Sequence, residues 1–192
     1  MRRSLRQLVP VLSALLFVPA CASSGATGAP TPIATRGEDT ATPVQLRRGV
    51  EGTQTVVQKG APLGGIVDGS VQRAWAALQA AYDDVGLTVT TRVPANGMLA
   101  SVEQRLVRLN GRRASFYVDC GSDLSGPVAD DAQVLLTVTS AVQAGADGTT
   151  IVGTRVDAEA RPRGRVEGVR DCTSTKRLET LILQKVREGV KG

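Results

Sequence analysis

The sequence predicts an α+β fold in which helices cover one face of an antiparallel β-meander, and three observations carry that expectation. Apolar residues at Val71, Ala74, Trp75, Leu78, Ala81, Tyr82 and Val85 recur at the 3.6-residue spacing of a helix. After Gly86 the apolar period falls to 2, as in strands half-buried on one side. Near the end it returns to 3.6, with Leu178, Leu181, Ile182 and Val186 on one stripe. Helix, consecutive strands, then helix is the order of a layered α+β domain.

Ahead of the first helix, Val44–Leu46 and Thr53–Lys59 suit one or two edge strands, although Gly49, Gly52 and the stretch from Gly60 to Gly69 interrupt them. The helix itself is expected over Val71–Val85. Ser70 can accept from its first free amides, and Gly86 can take the left-handed position that ends it, with Leu87 closing over the last turn. Trp75 reads as the core anchor that packs this helix on the sheet. Strands are expected over Leu87–Val93, Met98–Leu109, Arg113–Val118, Val134–Val142 and Thr149–Ala160. Asn96-Gly97, Asn110-Gly111 and Asp147-Gly148 supply the positive φ angles of tight connections between several of them. The closing helix is expected from Thr175 to Glu188, capped by Thr173 or Ser174.

The first twenty-one residues point to location. Arg2, Arg3 and Arg6 precede an apolar run from Leu8 to Val18, which is too short to span a bilayer, where about 20 apolar residues are needed. Val18-Pro19-Ala20-Cys21 resembles the end of a bacterial lipoprotein signal. That resemblance implies cleavage of residues 1–20 and acylation of Cys21, hence a membrane partner through a lipid anchor; two or more acyl chains make such anchoring stable. Ordinary cleavage after Ala22 is the alternative, and would release a soluble protein without Cys21. Ala22 and Ser23 lack the aspartate that follows the cysteine in many inner-membrane lipoproteins, which points to the periplasmic face of the outer membrane.

The chain has three cysteines. If Cys21 carries lipid, Cys120 and Cys172 remain as an even pair in an oxidising compartment and are expected to form a disulfide. Such a bridge would pin the end of the third strand to the start of the final helix. Removing the leader also removes three of the 23 basic residues, leaving 20 against 18 acidic ones, so the exported part is nearly neutral and nucleic-acid binding is not expected. Residues 21–42, rich in Ser, Gly, Ala, Thr and Pro, read as a disordered tether with a reach of about 25 Å. Residues 43–192 are enough for one domain.

Ala74-Trp75-Ala76-Ala77-Leu78, Tyr82, Gly86-Leu87, Asp119-Cys120-Gly121 and Cys172-Thr173-Ser174-Thr175 resemble segments of uncharacterised periplasmic lipoproteins. More distantly, the layout is similar to the helix-grip domains of BamC, the accessory lipoprotein of the outer-membrane β-barrel assembly machinery. The resemblance implies a long helix gripped by a curved sheet and envelope proteins as partners. It carries no site residues across.

The favoured function class is therefore a non-enzymatic envelope lipoprotein, a tethered interaction or assembly-accessory domain. A second class is a carrier, with a small apolar ligand or lipid held among Trp75, Leu136, Val138, Val156, Leu178 and Ile182. Two Phe, two Tyr and one Trp leave little bulk, so these residues are expected to fill one another as core. An enzyme is not expected: histidine is absent, and both candidate thiols are expected to be oxidised. No catalytic residue, metal ligand or cofactor is assigned. Asp119, Asp123, Asp130 and Asp131 gather in one loop, but their spacing departs from the calcium-loop pattern and suits a hydrated turn. Arg105, Arg108, Arg112, Arg113 and Arg161, Arg163, Arg165 form two basic clusters that could touch anionic lipid or cell-wall polymers, with a solvated strand face or loop as the plainer reading.

Overall fold

The computed structural model describes residues 42–47, 53–58, 61–161, 163 and 168–192. The leader, Cys21, the tether up to residue 41 and Arg165 lie outside the described residues. In chain order the elements are β1 (Thr42–Arg47), β2 (Thr53–Gln58), β3 (Leu63–Val67), α1 (Val71–Val85), β4 (Thr91–Val93), β5 (Met98–Leu106), β6 (Arg108–Leu109), β7 (Arg112–Arg113), β8 (Val118–Asp119), β9 (Ser122–Asp123), β10 (Gly126–Pro127), α2 (Val128–Asp131), β11 (Gln133–Ala144), β12 (Thr150–Arg161), β13 (Arg170–Ser174) and α3 (Arg177–Lys191). The architecture is α+β, mostly antiparallel sheet with a C-terminal helix, as expected.

The two expected strands ahead of the helix exist as β1 and β2, but they pair with each other as a separate two-stranded sheet, Val44 opposite Val56, and are not edge strands of the main sheet. The main sheet runs β4-β5-β11-β12-β13-β8, every pairing antiparallel, so five of its strands follow chain order as a meander should. β12 is flanked on one side by β11 over its full length. Its other edge is divided: β3 takes Thr150–Thr154 and β13 takes Ala158–Ala160.

Neither β3 nor β13 was legible as a strand. Gly64 and Gly65 depress strand propensity in β3, yet α3 requires the space. A Cβ at Gly65 would lie 2.7 Å from Leu183 Cδ2. β13 is polar, Arg-Asp-Cys-Thr-Ser, and its register comes from β12 and β8 instead of a buried face of its own.

Helix α1 begins and ends where its caps place it. Ser70 Oγ accepts from the Arg73 amide at 3.3 Å, Gly86 sits at φ +88°, and the Leu87 amide returns to Tyr82 O at 2.9 Å. Ala74, Ala77, Leu78, Ala81, Tyr82 and Val85 are buried. Trp75 is only half-buried at the margin of the core, so the anchor of this helix is Tyr82 two turns further on. Helix α3 packs closely beside α1: a Cβ on Gly189 would stand 3.1 Å from that of Ala77. α3 starts two residues later than expected because β13 continues to Ser174. Leu181 is half-buried, while Glu179, Leu183 and Val190 join Leu178, Ile182 and Val186 inside.

The expected strand Arg113–Val118 is not a strand. A 3₁₀ turn occupies Ala114–Phe116, and the consecutive burial of Tyr117 and Val118 breaks the period of 2. The segment from Arg108 to Asp131 is instead an excursion of short ladders between β5 and β11. Tyr117 holds it, its hydroxyl donating to Leu109 O at 3.1 Å and its ring meeting Phe116 edge-on at 5.1 Å.

The expectation of one buried and one wet sheet face also needs correction. Val134, Leu136 and Val138 face the helices, but Thr137, Thr139, Ala100 and Thr91 on the opposite face are each less than a tenth exposed. Register sets Thr91, Ala100 and Thr139 side by side from the edge strand β4 through β5 to β11, with Arg155 of β12 next in the row.

Between Leu136 and Val138 the β5–β11 register slips, so that Val102 and Glu103 both stand opposite Thr137. Glu103 takes φ +52° there, and its amide donates to Thr137 Oγ1 at 3.1 Å. Gln104 ties this bulge to the end of α1, donating to Gly86 O at 3.0 Å and accepting from the Thr88 amide at 2.9 Å. A left-handed residue with a side chain costs about 1–2 kcal/mol, of which glycine's own entropy returns about 0.5–1. Glu103→Gly is therefore expected to raise stability by about 0.5–1 kcal/mol in chemical denaturation; a lower midpoint would mean that the glutamate side chain holds the bulge.

Candidate functional site

The expected pairing of Cys120 with Cys172 is present, with the two Cα atoms 4.2 Å apart and a sequence separation of 52. The strands explain why they meet. β8 and β13 pair Ser174 with Val118 and Thr173 with Asp119, and the cysteines are the next residues along that ladder. The bridge thus joins two neighbouring strands, not a third meander strand to the final helix. The link to α3 is made one step later, where the Thr175 amide and hydroxyl both donate to Tyr117 O at 2.9 Å.

Leu136, Val138, Val156, Leu178 and Ile182 do come together, each at most 2% exposed. They belong to one apolar cluster built from both helices and the central strands, and Trp75 touches its margin.

Sequence reasoning missed the polar centre of that cluster. Ser140 continues the inward series of Val134, Leu136 and Val138, and its hydroxyl lies 2.9 Å from Tyr82 Oη and 2.8 Å from Thr154 Oγ1. Ser140 and Thr154 are cross-strand partners, so α1, β11 and β12 meet on three hydroxyls. Tyr82 Oη also stands 3.4 Å from the carbonyl oxygens of Leu99 and Val138. Burial drives the Tyr82 phenol well above its ordinary range, against a smaller opposing effect of the Ser140 hydrogen bond, and keeps it neutral. A serine interrupting the apolar alternation was the legible signal.

A second buried group was not foreseen. Glu179, in the first turn of α3, is fully buried; Ser174 Oγ donates to its Oε1 at 2.6 Å, and Lys176 Nζ lies 3.6 Å away. Ser174 also accepts from the Lys176 amide at 3.0 Å, so the expected capping serine works from outside the helix. Lys176, at φ +64°, spans to Ala61 O at 2.7 Å. These contacts fasten the start of α3 to the segment before β3.

The four aspartates serve their own loop. Asp119 Oδ1 accepts from the Gly121 amide at 2.8 Å, and Asp123 Oδ1 from the amide and hydroxyl of Ser125 at 2.8 and 2.6 Å. Asp131 receives the same hydroxyl at 3.2 Å, and Asp130 holds both the amide and hydroxyl of Ser115. The contacts of Asp119 and Asp123 form turns, whereas Asp130 reaches back to hold Ser115 across the excursion. Of the basic clusters, Arg105, Arg108, Arg112, Arg113, Arg161 and Arg163 are all exposed. Among the described residues no helix is long and apolar enough to cross a membrane. Comparison with protein-family models finds no match, and comparison with curated proteins finds none either.

Proposed function

We propose that this chain is a non-enzymatic envelope lipoprotein, fastened by acyl chains on Cys21 at the periplasmic face of the outer membrane and presenting its folded domain as an interaction or assembly-accessory module. The observation that carries the reading is the cysteine inventory. Cys120 and Cys172 are consumed by each other, which leaves Cys21, directly behind the charged and apolar leader, as the one cysteine free for lipid. A disulfide also suits an oxidising compartment. Within this reading the long α3 lying against an antiparallel sheet is a helix-grip arrangement of the kind found in BamC, and envelope proteins are its partners. The carrier alternative gains no support from the packing, because the side chains that would line a cavity are core residues touching one another.

Labelling cells with radioactive palmitate is expected to mark the parent chain and to leave Cys21→Ser unmarked; an unlabelled parent would remove the anchor. Crosslinking in intact cells, read by mass spectrometry, is expected to recover envelope proteins attached to the domain. A lipid that co-purifies in native mass spectrometry would favour the carrier instead.

A further inference from the structure

The run Arg105-Leu106-Val107-Arg108-Leu109-Asn110-Gly111-Arg112-Arg113 contains four arginines and no acid. Its second half folds into a tight hairpin, Asn110 at φ +46° and Gly111 at φ +74° forming the turn between β6 and β7. The register of that hairpin sets Arg108 directly opposite Arg113. Residues facing each other across an antiparallel pair point to the same side, and like charges there destabilise the pair. The hairpin offsets this little from within. Among the described residues Arg113 pairs with Asp130, at 3.8 Å, with its side chain 68% exposed, and Arg108 donates to Gly111 O at 3.3 Å.

Two apolar groups accompany the charges. Val107, immediately before the hairpin, is 60% exposed. On the other side of the hairpin, Leu109 is buried, and the Arg112 guanidinium lies 5.1 Å from the centre of the half-buried Phe116 ring, which Arg177 also approaches at 4.3 Å. Arg108 and Arg113 kept in opposition beside an exposed turn, with exposed Val107 next to Arg108 in the chain, match a surface of negative phosphates over hydrocarbon.

We propose that the Arg108–Arg113 hairpin, with Val107, is a docking surface for anionic phospholipid headgroups, which seats the domain against a membrane. The choice of a membrane over another polyanion rests on the lipoprotein reading, since a tether with a reach of about 25 Å holds the domain within contact of the lipid surface. Each arginine near an anionic surface is worth about fivefold in partitioning, weakening as salt screens it.

The test uses the full chain carrying Cys21→Ser, sedimented with vesicles of phosphatidylcholine alone or mixed with phosphatidylglycerol, at low and high salt. The leader is present in every variant, so comparison between variants cancels its contribution. The parent is expected to bind the phosphatidylglycerol vesicles preferentially, and Arg108→Gln with Arg113→Gln, which spares the Arg112–Phe116 contact on the other face, to lose about 25-fold. Lysine at the same two positions is expected to keep most of the binding. Equal binding of parent and variants, equal binding to both vesicle types, or displacement by inorganic phosphate at matched phosphate concentration would overturn the proposal. Acylation plays no part in this assay, so failed palmitate labelling and failed vesicle binding are separate results.

Discussion

Replacing Cys120 and Cys172 by alanine, or reducing the bridge, is expected to cost the domain about 2–4 kcal/mol and to lower its melting midpoint by about 5–15 °C. The closed loop is long, 52 residues in separation, and the chain-entropy model puts about 4 kcal/mol on a loop of that size as an upper figure. Its content makes the effect local as well as global. The loop includes β11 and β12, the centre of the sheet, while its ends fasten the excursion around β8 to the strand that leads into α3. Hydrogen exchange is therefore expected to accelerate first over Val118–Asp131 and the opening turn of α3. Exchange that stayed unchanged there under reductant would mean that Tyr117 and Thr175 hold the junction unaided.

The second large effect is expected at Tyr82. Tyr82→Ala should cost about 3–5 kcal/mol, the range for removing a buried aromatic side chain, because the ring is fully enclosed and its hydroxyl joins one helix to two strands. Tyr82→Phe separates the two contributions. It removes only the hydroxyl, leaves Ser140 its Thr154 partner, and should cost about 1–2 kcal/mol. Combined with Ser140→Ala, the losses should fall short of additive, since both changes break the same contact. The phenol also predicts a pH effect with a definite sign. Its folded pKa is raised above the ordinary value of 10.0, so above that pH the unfolded chain releases the proton first and stability falls as pH rises. Tyr82→Phe should flatten that alkaline decline in urea midpoints, and an unchanged decline would place its origin elsewhere, for example in Tyr117, which is raised by the same burial.

Periodicity and caps located α1 to the residue, because a helix writes its buried stripe and both ends into consecutive positions. The β11–β12 pair was equally plain, since long strands with β-branched residues repeat their signal many times and Asp147-Gly148 marks the connection. What escaped were elements whose conformation is imposed from outside. β3 carries two glycines because α3 lies on it, β13 is polar because pairing alone specifies it, and the segment around Phe116 turns because Tyr117 and Val118 are buried in succession. The disulfide was legible by parity, its geometry was not, since register between β8 and β13 depends on contacts far apart in sequence. Of the candidate cavity residues, composition already indicated mutual packing; that Trp75 would yield its place to Tyr82 depended on where the inward-facing Ser140 lay.

The shared outer edge of β12 has a consequence for biogenesis. Strands from either end of the domain, 63–67 and 170–174, dock on the same twelve-residue partner, and the two helices that close over it come from those same ends. The main sheet closes late, because the mate of β3 is synthesised some eighty residues after it and the last helix must still arrive. A nascent polypeptide built this way gains its full sheet only when most of it has been made.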